Sequence, residues 1–435
     1  MIRALRKIWK NEFFKNVATL LSGTSFAQAF SVIIYVVLSR IYTEEDFGVF
    51  GLYMNFLNIV VIFSTARYDQ AILLPKSDRD SMNLLGLSGI ISIGVSLLLL
   101  VLVLPMNSVI CRWLGSDEIS TWLYLLPLST LLVAWFTILK IHANREKKYR
   151  LIAGANIGQS AGNSLTKLGL GFLVAGAAGL IIGVVIGQVL GFVVFFVMLF
   201  PSMRMRFSWL SFSEMKRLGK KYSLFPKFNM WQALINNLSA AFPVFIFSSF
   251  FSTIIAGYYT FGFMIIHRPI HLVVNAFYQV IFQRFVEKGH RKEPILPELY
   301  LFIRRALQLM LLPFILMGIF APVIFAFVFG ENWTEAGVYA RFMLPWIFMM
   351  GLTMPLSFMP DMYQEQRKAL IIDGIRLMLR LIGLIIGISQ NSIYLALGLY
   401  SGASTFMIGV NLVWYIRLAK KLPPADPSEA EKDDQ

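Results

Sequence analysis

The chain is divided into apolar blocks of about twenty residues or more, the length a helix needs to cross ~30 Å of hydrocarbon. The stretch 82–105, for example, holds no charged residue. Lipid offers backbone N–H and C=O groups no partners, so such blocks fold as helices or closed barrels. Alternation of period two is absent from them, which sets aside an outer-membrane barrel. The expected class is therefore an all-α integral membrane protein. Composition agrees: only 14% of the 435 residues are charged, against roughly 25% in soluble domains, and mean hydropathy is +0.67.

Twelve spans are expected near 17–39, 47–66, 82–105, 121–141, 151–174, 177–200, 225–248, 254–283, 302–329, 338–360, 370–388 and 392–416. The basic segment 1–15 has no small-residue cleavage site after the first apolar stretch, so that stretch reads as an uncleaved first helix. Of the 39 Lys and Arg, only Arg40 and Arg112 lie in loops opposite the N-terminus and five lie inside spans; the other 32 fall in loops and span ends on the N-terminal side. That asymmetry predicts both termini in the cytoplasm and an even number of spans. It also assigns the net charge of +15 to membrane orientation, with no nucleic acid as partner. The single cysteine, Cys111, excludes an internal disulfide and a Cys-based metal cluster.

The long basic connection at 201–224 divides the spans into a lobe at 1–200 and a lobe at 225–421, followed by a Pro- and acid-rich tail at 422–435 expected to be disordered. Trp209, Leu210 and Phe212 mark an amphipathic surface segment in the connection. A faint repeat supports two halves. Phe47-Gly48-Val49-Phe50 is echoed by Ala256-Gly257-Tyr258-Tyr259, and Gln70-Ala71-Ile72 by Gln279-Val280-Ile281, both at an offset of 209. Leu114-Gly115 is likewise echoed by Phe329-Gly330. The expected architecture is two pseudo-symmetric six-helix lobes around a central cavity, the usual plan of a rocking transporter.

Glycines recur every four residues at 179, 183, 187 and 191 and at 154, 158 and 162, a small-residue pattern for close helix packing. Gly169-Leu170-Gly171 lacks the residues of a phosphate loop. Pro243, Pro269, Pro313, Pro322, Pro345 and Pro355 interrupt the later spans, where each removes a helix hydrogen bond.

The charged residues inside spans carry the functional expectation, because a charge at that depth normally faces protein or water. Arg268 lies near the middle of span eight, flanked by His267, Pro269 and His271. The two histidines lack further Cys or Glu ligands at suitable spacing, so they are expected to line a polar site without metal. Span eleven carries Asp373, Arg376 and Arg380 on one face, with Asp373 placed to pair with Arg376. Lys167 lies in span five, and Arg341 begins span ten, where it can snorkel outward. Arg67 and Asp69 sit at the end of span two and are either substrate ligands or an interfacial ion pair. All five in-span cations face a single acid, Asp373; such a bias suits an anionic substrate, and guanidinium groups bind diphosphate through paired donors. The candidate binding residues are Arg268, Arg380, Arg376, Lys167, Arg67, Asp69, His267 and His271.

Three stretches together resemble the polysaccharide (O-antigen type) flippases of the multidrug/oligosaccharidyl-lipid/polysaccharide exporter superfamily. One runs from Asn16, Gly23 and Gln28 to Arg40-Ile41-Tyr42-Thr43-Glu44-Glu45-Asp46-Phe47-Gly48-Val49-Phe50. Another is 66–75, with Arg67, Asp69 and Gln70. The last runs from Tyr222-Ser223-Leu224-Phe225-Pro226 through Asn237-Leu238-Ser239, Pro243 and Ala256-Gly257-Tyr258-Tyr259 to Arg268-Pro269. The resemblance implies a twelve-helix fold in the bacterial inner membrane, an undecaprenyl-diphosphate-linked oligosaccharide as substrate, and alternating access. It implies no enzyme activity and no cofactor, and it leaves the coupling ion open between H+ and Na+. Neither the sugar repeat nor the choice between O-antigen, capsule and exopolysaccharide is legible. The competing expectations are a multidrug exporter of the same superfamily, a membrane glycan polymerase or ligase, and a flippase for the peptidoglycan lipid precursor, whose members usually have two more spans. The polymerase or ligase reading conflicts with the short outward loops, and the exporter reading with the lack of an isolated cavity acid.

Overall fold

The computed structural model describes residues 34–421 apart from 175, 205, 291, 292 and 364, and every regular element among them is helical. The helices are α1 (34–41), α2 (Glu44–Ser64), α3 (Asp78–Leu114), α4 (Leu126–Arg145), α5 (Tyr149–Leu173), α6 (Ala178–Arg204), α7 (Phe212–Lys221), α8 (Met230–Phe250), α9 (Thr253–His290), α10 (Leu296–Phe329), α11 (Thr334–Thr353), α12 (Gln366–Ser389) and α13 (Ile393–Ala419). With α7 set apart as a surface helix, each expected span has its helix. Most of the first span and the tail at 422–435 lie outside the described residues.

Local chemistry sets several boundaries. Thr43 caps α2 through a reciprocal pair: its hydroxyl accepts from the Asp46 N–H at 3.2 Å, and the Asp46 carboxylate accepts from the Thr43 N–H at 2.8 Å. The motif Thr43-Glu44-Glu45-Asp46 is thus a helix start. Gly115 and Gly330 end α3 and α10 at φ of +64° and +117°, backbone angles that only glycine adopts freely. The repeated Leu114-Gly115 and Phe329-Gly330 steps are equivalent helix stops. Three spans run well past their expected bounds: α9 continues to His290, α10 starts at Leu296, and α3 passes through Pro105 and ends at Leu114, about 55 Å at 1.5 Å per residue.

Eight helical segments among the described residues are long and apolar enough to cross a membrane. The long helices outside that group are α5, α9 and α12, the ones that carry Lys167, Arg268, and Arg376 with Arg380. Their charged side chains turn toward protein or water, while α5 and α12 still expose apolar side chains such as Phe172 and Met378.

The described residues form two compact units, 37–260 and 261–421 with 34–36. In the first unit, α8 and the opening turns of α9 pack on α2. Gly48 and Gly257, the repeat-related glycines, lie at this crossing: a Cβ on Gly257 would strike the Glu44 carbonyl, and one on Gly48 the Thr253 carbonyl. The unit's core includes Ala71, Met82, Leu85, Ile138, Phe195, Leu199 and Leu218. The second unit is packed around Phe277, Phe285, Phe302, Phe358 and Tyr415.

The connection at 201–224 is an amphipathic clasp, as its sequence predicts. Met215 and Leu218 of α7 are buried while Phe212 is exposed. Arg217 pairs with Asp80 at 2.9 Å, and the Asn83 side chain both donates to the Trp209 carbonyl and accepts from the Ser211 N–H. Nearby, Arg145 closes the turn after α2: its guanidinium donates to the Pro75 carbonyl at 2.7 Å and to the Asp78 carboxylate at 3.0 Å. Arg145→Ala is expected to open this turn. Hydrogen exchange at 72–77 should rise roughly tenfold or more, since the bonds lost are charge-assisted, with α4 itself unchanged.

Candidate functional site

Lys167 owes its burial to the glycine row on α6. A side chain on Gly183 would occupy the space of the Lys167 stem, and one on Gly187 would meet the Gln159 carbonyl and Asn163. Close packing of α5 on α6 therefore encloses a lysine that is 3% exposed. Its ammonium lies 4.5 Å from the centre of the Phe50 ring, a cation–π contact, and Tyr42 O–H donates to its carbonyl at 2.6 Å. On α5 only Gly162 of the expected glycine row makes a close approach, to Gly187 and Leu190, while Gly154 has open space beside it.

Arg380 occupies the matching helix of the second unit and is 7% exposed. Its Nε donates to the Ser404 hydroxyl at 2.7 Å, and its guanidinium lies 4.8 Å from the Tyr400 ring centre and 5.6 Å from that of Trp346. Ser404 in turn donates to the Tyr400 carbonyl, so the hydroxyl's orientation is fixed. Gly383, one turn along α12, allows α13 to approach closely enough to bring Tyr400 in. Each unit thus boxes one cation against aromatic rings, on span five and span eleven respectively.

The α9 residues join the second box. Phe263 stacks on Trp346 at 5.8 Å and on His267 at 4.7 Å, and His271 follows at 5.6 Å. The Arg268 guanidinium, half-buried, lies 4.7 Å from the centre of the Tyr35 ring. Asp373 pairs with Arg376 at 2.8 Å, as their spacing predicts, so the acid of span eleven is committed about two turns before Arg380. No cluster of three or more His, Cys, Asp or Glu among the described residues is arranged to hold a metal.

Arg67 and Asp69 are placed elsewhere, and they form no ion pair with each other. Asp69, buried, accepts from the Thr65 hydroxyl, which also accepts from the Arg67 N–H. Arg67 adopts φ +63° in the turn after α2, and its buried Nε has no hydrogen-bond partner. It stands 17 residues beyond Phe50, about 25 Å along the chain's helical axis, so it does not join the Lys167 box. Arg341 also departs from expectation: instead of only snorkelling outward, it donates to the Ile319 carbonyl at 3.0 Å, within a turn of Pro322.

The residues missed in the sequence are the partners: Tyr35, Phe50, Trp346, Tyr400 and Ser404. They lie far from their cations along the chain. The one available signal was the richness of aromatic and hydroxyl residues in the spans adjoining the charged ones.

The profile of the polysaccharide biosynthesis proteins matches residues 37–338. The chain belongs to that family. No curated protein matches it. As a polysaccharide biosynthesis protein it shares its fold with solved membrane transporters. An inward-facing multidrug resistance MATE family transporter of the MOP superfamily superposes with a TM-score of 0.64 at 16% identity, over 89% of this chain and 95% of that one. The lipid II flippase MurJ, in an inward closed conformation, gives 0.65 at 15% identity over 92% and 87%. A MOP superfamily transporter from Pyrococcus furiosus, described by the reverse polarity of its binding pocket, gives 0.57 at 14% identity over 94% and 96%. The polysaccharide biosynthesis protein is therefore a multi-pass membrane protein with the twelve-helix fold of these transporters.

Proposed function

We propose that the protein flips an undecaprenyl-diphosphate-linked oligosaccharide across the bacterial inner membrane for surface polysaccharide synthesis. The observation that carries this reading is the pair of cation boxes, Lys167 over Phe50 and Arg380 between Trp346, Tyr400 and Ser404. Buried cations are expensive in a membrane span and are kept where an anion must be met. Family membership supports a role in polysaccharide synthesis, and the fold supports transport.

The polar headgroup is the part that cannot cross hydrocarbon unaided, whereas a polyprenyl tail is at home there. Arg268 and Arg380, helped by Arg376, neutralise the diphosphate, and the guanidinium forks supply paired donors matched to its oxygens; Lys167 offers a buried cation for the same anion in the first unit. His267 and His271 add polar lining beside Arg268. Arg67, with an unpartnered Nε near one end of α2, serves the headgroup at entry or exit, with Asp69 holding the turn. Rocking between two states changes the side from which these groups are reached. An H+ or Na+ gradient drives the cycle, and the protein forms and breaks no covalent bond.

A multidrug exporter is the second reading, favoured by the fold of the MATE transporters. It fits poorly with an in-span acid already paired to Arg376 at 2.8 Å. The two readings separate in proteoliposomes loaded with a fluorescent glycan on a prenyl diphosphate, read by a membrane-impermeant quencher. The flippase reading expects the quenchable fraction to grow faster than in protein-free vesicles. Exchange at the protein-free rate, with several glycans and with either ion gradient, would overturn it.

A further inference from the structure

Away from the cation boxes, a groove of about 530 Å³ runs along α11 and α13 in the second unit, lined by Arg341, Phe342, Pro345, Gly398, Ser401 and Gly402 among others. Its walls are apolar rings and bare backbone, with two polar features that the fold leaves unmatched. Arg341 is exposed, and the one partner its guanidinium has is the Ile319 carbonyl; a guanidinium carries five N–H donors. The Ser401 side chain is 4% exposed, yet its hydroxyl has no hydrogen-bond partner. A serine in a helix ordinarily bonds back to the carbonyl of the preceding turn, as Ser404 and Thr405 do. Ser401 does not, and it lines the groove.

Both residues lie at similar depth. Arg341 is seven residues into α11 and Ser401 eight residues into α13, about 10–12 Å from the helix starts. On the orientation given by the Lys and Arg asymmetry, those starts face outward. At that depth an arginine reaches the headgroup level with its guanidinium.

We propose that this groove holds one glycerophospholipid of the outer leaflet, with its phosphate on Arg341, an ester carbonyl accepting from the Ser401 hydroxyl, and an acyl chain along Gly402 and Phe406. Charge complementarity selects the headgroup, since a guanidinium fork matches phosphate oxygens. The hydroxyl selects the class of lipid. A glycerolipid carries ester carbonyls between its phosphate and its chains, whereas a polyprenyl chain has no acceptor beyond its headgroup. The glycines make room for the lipid: a Cβ on Gly402, on the chain side, would meet nothing within 4 Å, and one on Gly398, on the headgroup side, would meet only the Phe342 ring, at 3.8 Å. This site stands independently of the flippase reading.

The test uses the full-length protein in detergent, titrated with phosphatidylglycerol and followed by native mass spectrometry. Gly402→Leu fills the groove from a position with open space, so the fold should tolerate it. The wild type is expected to hold one phosphatidylglycerol that Gly402→Leu loses. Arg341→Gln should weaken that binding by roughly tenfold or more, because a charge-assisted contact is removed. Ser401→Ala should weaken it by a smaller factor, and it serves as the second probe if Gly402→Leu melts early. Equal retention by the wild type and the variants would mean annular lipid only and would overturn the proposal. So would displacement of the bound lipid by an equimolar amount of undecaprenyl phosphate, which would assign the groove to a polyprenyl chain.

Discussion

The Arg268→Ala, Arg380→Ala double variant is expected to lose flipping of a lipid-linked glycan by roughly a hundredfold or more, since the proposed function has both guanidinium groups meet the diphosphate through charge-assisted contacts, while the protein still reaches the membrane. The two positions differ in what else they lose. Arg268 is half-buried against Tyr35, so its removal leaves a small void. Arg380 is boxed by two rings and bonded to Ser404, so its removal also loosens α12 against α13. Arg380→Lys separates these effects. Lysine keeps the charge and the cation–π contact but lacks the fork. It should therefore melt close to the wild type and still flip several-fold more slowly. Flipping and thermal melting are measured on the same preparations. A double alanine variant that flips at the wild-type rate would remove the diphosphate role from this site.

Gly257→Val is expected to destabilise the first unit by about 3 kcal/mol, the upper range for overpacking a tight interface. Its Cβ would collide with the Glu44 carbonyl and lie 3.1 Å from the Gly48 nitrogen. Those neighbours are backbone, so no side chain is available to swing aside. Gly48→Val should do the same from the other side, against Thr253. The double variant should fall short of the sum of the two, because one separation of the helices relieves both collisions. Gly94→Ala is the control, with nothing within 4 Å of its added carbon, and should change stability by less than about 0.5 kcal/mol. Thermal unfolding in detergent reads all four. Equal melting of Gly257→Val and Gly94→Ala would show that the crossing yields more easily than its geometry indicates.

The repeat shows how a weak sequence signal gains a cause from packing. Gly48 and Gly257 stand 209 residues apart, and their likeness in sequence was slight evidence among apolar segments that resemble one another easily. In the structure they lie at one helix crossing, where Gly257 admits the backbone of Glu44 and Gly48, and Gly48 admits that of Thr253. Gly115 and Gly330 are similar in sequence because both stop a helix at positive φ. Conversely, the glycine spacing on α5 predicted a close face along its length, yet only Gly162 makes the approach. Spacing defines which residues share a face; a neighbour's path decides which of them are touched.

The ties of the basic connection at 201–224 were also beyond reach of the one-dimensional reading. Its composition marks a surface segment, whereas its bonds to Asn83 and Asp80 of α3 come from the fold. The arrangement of α8 on α2 follows from contacts between residues nearly two hundred positions apart.

Features that depend on short-range periodicity and solvent preference follow from residue order alone. Apolar run length sets the membrane class, caps such as Thr43-Glu44-Glu45-Asp46 set helix starts, and the i, i+3 spacing of Asp373 and Arg376 sets their pairing. Residue order also named the cations, because a charge inside an apolar run is conspicuous wherever it occurs. What those cations touch depends on packing in space: Phe50 for Lys167, Tyr35 for Arg268, and Trp346, Tyr400 and Ser404 for Arg380. The physical reason is that a buried charge is stabilised by neighbours within a few ångströms in space, and chain order places none of these partners beside their cation.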